Sequence, residues 1–221
     1  KFEIKPGESV AILGTTGSGK TSIINLIPRM FDVSEGEVLI DDINVKQYDL
    51  KSLREDIGMV LQKNILFSGT VAENIRWGKE DATDEEINEA CDIAQIGGFI
   101  RALPDGYNTR VEQRGANFSG GQKQRLCVAR AIVKKPKILI LDDSMSALDT
   151  ATENKLRNAL KEKMKDTTVV MIAQRINTAK NADKILVLDK TKIVGFGTHD
   201  ELIKTNEVYK EIYNSQMEVT E

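Results

Sequence analysis

Residues 14–21 place Gly14, Thr15, Thr16, Gly17, Ser18, Gly19, Lys20 and Thr21 in the spacing G-x-x-x-x-G-K-[ST]. Each type has a job in holding a polyphosphate. The glycines let the backbone turn its N–H groups towards phosphate oxygens, and the positive end of a following helix faces the same anion. Lys20 reaches the terminal phosphates, and the Thr21 hydroxyl can ligate Mg²⁺. A glycine-rich strand-to-helix turn without a ligand is the alternative. The apolar run before the loop and the helical spacing after it favour the phosphate reading. A second requirement is a carboxylate at a strand end, to hold Mg²⁺ through water. Asp142 ends the run Ile138–Leu141 and meets it, with Asp143 next. An ordinary acidic turn is the competing reading of that pair.

The elements that must position these groups alternate. Ser9–Leu13, Gly36–Ile40, Ile57–Leu61, Lys137–Asp142, Thr168–Ala173 and Lys184–Leu188 read as strands, several of them nearly continuous apolar runs of the buried parallel kind. Lys1–Lys5 reads as half of an alternating strand, so the chain reads as a fragment with earlier strands cut away. Helical spacing follows Thr21, and Pro28 disturbs or ends that helix. Between about Gln62 and Lys135 helical patterns dominate: Thr70–Arg76, Asp84–Ala94 with Asp84 as N-cap, Gly98–Ala102 and Ser119–Val133. Further helices are expected at Ala151–Met164 and Ile176–Lys180. The expected fold is α/β, a mostly parallel P-loop NTPase (RecA-like) sheet with antiparallel β elements and an inserted α-helical subdomain. As one nucleotide-binding domain over 1–221, the core takes about 1–62 and 134–221, and the insert about 63–133.

Composition narrows the classes. The 221 residues carry a net charge of -3, which disfavours nucleic acid as a partner. Two cysteines, Cys91 and Cys127, sit in apolar helical patterns and read as buried reduced thiols. No apolar run approaches the roughly 20 residues that span a bilayer.

Further segments carry a family resemblance. Asn117, Phe118, Ser119, Gly120, Gly121 and Gln122 resemble the signature motif of ATP-binding cassette (ABC) proteins. Gln62 stands at the Q-loop position, and Ser146, Ala147, Leu148 and Asp149 match the D-loop. Residues 66–75, 109–115 and 197–202 resemble exporter segments, so the resemblance covers essentially the whole chain in the family's order. It implies an exporter cassette at the cytoplasmic face of the cell membrane, joined to transmembrane domains. It also implies that two cassettes close head to tail around two ATP molecules. Lys20, Thr21, Gln62 and Asp142 would then serve this chain's own Mg²⁺-ATP, with Thr21, Gln62 and Asp142 around the metal. Phe118–Gln122 would cover the ATP of the partner. The aromatic that stacks on adenine is expected upstream of the chain; Phe2 reads as core.

The chain departs from the family where the chemistry lies. The glutamate that polarises water in active members is Asp143 here, one methylene shorter. The switch histidine is Gln174, and the single histidine, His199, belongs to the segment Thr198–Glu201, whose T-x-x-E pattern reads as a capping box. Gln113 replaces a glutamate in the exporter pattern. A neutral amide donates a hydrogen bond but does not shuttle a proton as imidazole does. These departures resemble the degenerate half of a heterodimeric exporter: a second, non-identical cassette as partner, an impaired site here and an intact signature. A fully active homodimeric cassette and a soluble mechanical or nucleic-acid module of the same family remain alternatives. Asp149 also suits the N-cap of the helix after it.

Overall fold

The computed structural model describes residues 1–143, 145 and 147–217. Along the chain come β1 (Ser9–Gly14), α1 (Lys20–Leu26), β2 (Leu39–Ile40), β3 (Ile43–Asn44), α2 (Leu50–Glu55) and β4 (Ile57–Val60). Then follow β5 (Gly69–Thr70), α3 (Val71–Arg76), α4 (Asp84–Ile93), α5 (Gly97–Arg101), β6 (Arg110–Val111), α6 (Gly120–Ile132) and β7 (Ile138–Leu141). The remainder is α7 (Thr150–Lys163), β8 (Thr168–Ile172), α8 (Ile176–Ala179), β9 (Lys184–Asp189), β10 (Lys192–Gly197), α9 (His199–Thr205) and α10 (Glu207–Met217).

The chain forms two compact units: residues 1–57, 140–143 and 168–221, and residues 58–139 and 144–167. The main sheet has the order β10-β9-β1-β8-β7-β4. In the first unit β1 lies parallel to both β8 (Ala11 beside Met171) and β9 (Ile12 beside Leu186). Only a crossover connection permits parallel neighbours, which is why helices intervene. β10 returns antiparallel to β9 through Lys190 and Thr191, both at positive φ, as a tight two-residue hairpin needs. Val10–Leu13 and Ile185–Leu188 are at most 2% exposed, so both faces of these central strands are covered. Each such aliphatic side chain contributes roughly 1.5–3 kcal/mol on burial.

In the second unit α6 packs against α3 and α4, and α4 against α7. The helices begin where side chains satisfy their first N–H groups. Thr70 with Glu73, Thr83 with Glu86 and Ser119 with Gln122 form reciprocal capping boxes. The N-cap of α4 is therefore Thr83; Asp84 occupies the first helical position, where its charge still favours the helix dipole. Cys91 and Cys127 are buried free thiols, and burial pushes the Cys91 thiol up to about 12.

Three local expectations differ from the structure. Residues 1–5 form no strand; the Phe2 ring instead lies 5.5 Å from that of Phe196. Within 36–40 only Leu39 and Ile40 are extended, because Asp41 and Asp42 take positive φ and turn the chain back to β3 after two pairs. The segment after Lys184–Asp189 contributes β10 and α10, which no local pattern announces, while α9 begins at the Thr198–Glu201 capping box read from the sequence.

Candidate nucleotide site

In the first unit the loop between β1 and α1 brings Gly14–Thr21 into a tight turn. A Cβ at Gly14 would stand 2.4 Å from the Leu188 carbonyl oxygen and 2.7 Å from Ser18 Oγ, so no larger residue fits. Gly19 caps α1 in the left-handed region (φ 92) and supplies no side chain to the helix start. α3, α4, α6 and α9 cap with Thr or Ser; here the first turn is left to whatever the loop holds. Ser18 is buried, and its Oγ has no hydrogen-bond partner among the described residues. A buried hydroxyl in that condition suits a loop built around an anion.

Lys20 curls back over the loop, its Nζ donating to the carbonyls of Gly14 (2.7 Å) and Thr15 (2.8 Å). Burial lowers its pKa, while the nearby carboxylates of Asp143 and Asp142 act the other way. Thr21 Oγ1 donates to Asp142 Oδ1 at 3.4 Å across 121 positions of sequence. Burial raises the Asp142 pKa, opposed by the Thr21 hydrogen bond and Lys20. Two hard oxygen donors at this separation suit neighbouring positions on an octahedral Mg²⁺, whose ligands lie about 3 Å apart. Among the described residues no group of three or more His, Cys, Asp or Glu gathers. A cation here would take its other ligands from phosphate and water, as Mg²⁺ commonly does.

Asp143 follows at φ 49, a left-handed turn that aspartate tolerates. Its Oδ2 accepts a short hydrogen bond from Gln174 Nε2, at the end of β8. Lys20, Thr21, Asp142, Asp143 and Gln174 thus meet in one place, delivered by the ends of adjacent elements.

The second unit carries the other sequence-selected residues. Gln62 stands exposed in the segment after β4. Phe118 is buried against Phe99, with ring centroids 6.3 Å apart. Ser119 and Gln122 are engaged with each other: Ser119 N–H donates to Gln122 Oε1 (2.8 Å), and Gln122 N–H to Ser119 Oγ (3.3 Å). Gly120 and Gly121 occupy the first turn between them. A Cβ at Gly121 would stand 3.3 Å from the Ala147 carbonyl oxygen and 3.5 Å from Leu148. Residues 147–148 therefore lie against the start of α6. Asp149 caps α7, accepting from Thr152 N–H (2.9 Å) and Thr152 Oγ1 (2.7 Å), which hold its carboxyl below the usual range. Ser146 lies outside the described residues. His199 opens α9 inside the Thr198–Glu201 capping box, and its Nδ1 pairs with Tyr209 Oη at 2.8 Å.

Two residues without a sequence signal also shape the site. Arg125 joins the carbonyls of Gly121 and Gln95, tying the first turn of α6 to the end of α4. Gln216, on α10, bonds the backbone on either side of Arg175. In both cases the partner is a main-chain group, which leaves no mark in residue types.

Comparison with known proteins agrees with this geometry. The family model described as ABC transporter matches residues 1–146. An uncharacterised ABC transporter ATP-binding protein of Bacillus subtilis is 49% identical over 215 residues, covering 97% of this chain and 37% of that protein. A putative multidrug export ATP-binding/permease protein of the same organism is 45% identical over 215 residues, with the same 97% and 37% coverage. The solved structure of a bacterial Atm1-family ABC exporter with ATP bound superposes with a TM-score of 0.94 at 39% identity, over 97% of this chain and 38% of that one. The chain thus spans little more than a third of the length of the relatives it matches. With the phosphate loop, the strand-end aspartate and the matched family model together, the chain belongs to the ABC transporter family, as an ATP-binding domain with the ABC ATPase fold.

Proposed function

We propose that this domain is the cassette of a membrane exporter that binds Mg²⁺-ATP at a site of low turnover and lends its signature to the catalytic site of a second, non-identical cassette. The export reading is supported by the likeness to export permease and exporter proteins. On this reading the chain works at the cytoplasmic face of a membrane, coupled to transmembrane domains. Residues 63–133 are the inserted helical subdomain of a RecA-like core.

The observation that carries the low-turnover reading is the hydrogen bond from Gln174 to Asp143. On this reading Asp143 is the carboxylate that would accept a proton from attacking water, and the Gln174 amide donates to one of its oxygens. An oxygen already accepting a hydrogen bond is a weaker base, and an aspartate reaches about 1 Å less far than glutamate. A displacement of that size costs on the order of 100-fold in rate. The Gln174 amide can donate to a phosphate or a carboxylate but does not take up and release a proton near neutral pH as imidazole does. The binding groups are intact by contrast: Lys20 and the loop amides orient the phosphates, and Thr21 and Asp142 would hold the metal. Mg²⁺, when bound, supplies charge neutralisation at the phosphate oxygens.

The test is ATP turnover in the assembled exporter after the catalytic glutamate of the partner cassette is changed to glutamine. What hydrolysis is left belongs to the site of Lys20, Asp142 and Asp143. A rate near zero with ATP retained is expected. Substantial turnover would instead make Asp143 a working base and the domain an active ATPase, as in a homodimeric exporter.

A further inference from the structure

The last turn of α10 reaches the segment that carries Gln174. Gln216 Oε1 accepts from the Ile176 N–H at 2.7 Å, and Gln216 Nε2 donates to the Gln174 carbonyl at 2.9 Å. One carboxamide therefore holds two backbone groups that flank Arg175. Arg175 is the N-cap residue of α8 and offers no side-chain cap of its own. The first N–H of α8 is satisfied from a different helix, 40 positions away in sequence. A donor and an acceptor in one rigid plane restrict both the position and the rotation of the held segment. The side chain of that same Gln174 donates to Asp143. α10 is itself anchored, packing on α8, α9 and β9.

We propose that Gln216 is a positioning residue for the nucleotide site: it fixes the backbone at Gln174 so that the Gln174 amide stays on Asp143. The inference rests on the reading of Asp143 and Gln174 as the chemical positions of this site. It gives the C-terminal helix a direct mechanical link to them, through side chain, backbone, side chain and carboxylate. Only glutamine satisfies both ends at this reach. Glutamate would accept from Ile176 but set a carboxylate against the Gln174 carbonyl, and leucine would fill the space with neither bond.

The test is a double-mutant cycle in the assembled exporter, with the catalytic glutamate of the partner cassette changed to glutamine so that only this chain's site is read. The variants are Gln216→Leu, Gln174→Ala and both together, with Gln216→Glu as the conservative change. The site is read as retention of labelled ATP and as kcat and KM for any turnover. Gln216→Leu is expected to raise kcat at unchanged KM, and so to shorten retention of ATP, by about tenfold, the effect of one lost hydrogen bond of the stronger sort, because the Gln174 amide no longer stays on the Asp143 carboxylate. Gln216→Glu should fall between. In the Gln174→Ala background Gln216→Leu should change the site no further. Thermal unfolding should behave oppositely: the loss from Gln216→Leu should be the same in both backgrounds, because its bonds go to the main chain. Site effects that add across the cycle, or no site effect of Gln216→Leu, would overturn the proposal. Rapid turnover in the parent would sink the low-turnover reading alone, since the cycle would still report on Gln216 through kcat.

Discussion

Gln174 and Asp143, 31 positions apart, meet through a hydrogen bond from the amide Nε2 to the carboxylate Oδ2. On the proposed reading of Asp143 and Gln174 as the two altered chemical positions, these positions are partners in space. The pairing gives a buried carboxylate an amide donor, so each change makes the other easier to accommodate. Reversal should show the same coupling. Asp143→Glu with Gln174→His is expected to raise own-site turnover by roughly 100-fold, and either change alone by much less. Phosphate release with the partner cassette's catalytic glutamate changed to glutamine measures it; equal effects of the single and double changes would contradict the coupling.

Gly14 is held by close approach. Gly14→Ala would place a methyl 2.4 Å from the Leu188 carbonyl oxygen, which belongs to the neighbouring central strand and has little room to retreat. The expected cost is about 1–3 kcal/mol of stability, as for other overpacked sites. ATP binding should weaken with it, because the loop starts at that residue. Denaturant unfolding and a fluorescent-nucleotide titration check both.

Asp142 gives a pH prediction whose sign follows from its environment. Burial raises its folded pKa above the ordinary 3.8, so its contribution to stability is fully present below that value and is lost as pH rises through the raised one. At neutral pH Asp142→Asn should therefore be more heat-stable than the parent without nucleotide, the difference closing in acid. The same variant should lose the stabilisation that Mg²⁺-ATP confers on the parent. Melting curves across pH, with and without Mg²⁺-ATP, show whether the carboxylate is kept for binding at a cost to the fold.

On the proposed two-cassette reading, the signature can be tested apart from the chain's own site. Gly121→Leu adds a side chain where a Cβ would already lie 3.3 Å from the Ala147 carbonyl oxygen. It should abolish turnover at the partner's site while ATP binding at Lys20 persists. Ser119→Ala removes the capping box together with a hydroxyl of the signature, and should cost about 1 kcal/mol of helix stability. Undiminished ATPase with Gly121→Leu would remove the signature from the partner's site.

Much of the site was legible because it is built from short-range chemistry. A phosphate loop needs glycines, a lysine and a hydroxyl at set spacing, and a capping box needs Thr or Ser three residues before Glu or Gln; both are visible in the residues themselves. The central strands were legible from apolar runs, since strands covered on both faces have no polar alternation. The hairpin at Asp41–Asp42 was not, because two aspartates in the left-handed region look like any charged loop.

The sequence by itself determined which groups this domain has for holding a triphosphate, and that Asp143 and Gln174 stand where the family resemblance implies a glutamate and a histidine. Only the tertiary structure decided how those groups are spent. Thr21 meets Asp142, and Gln174 meets Asp143, because separate strands end at the same edge. Gln216 grips a backbone that any sequence would provide. A contact with the main chain imposes no residue type on its partner, so it becomes visible only when the helix that carries it is placed.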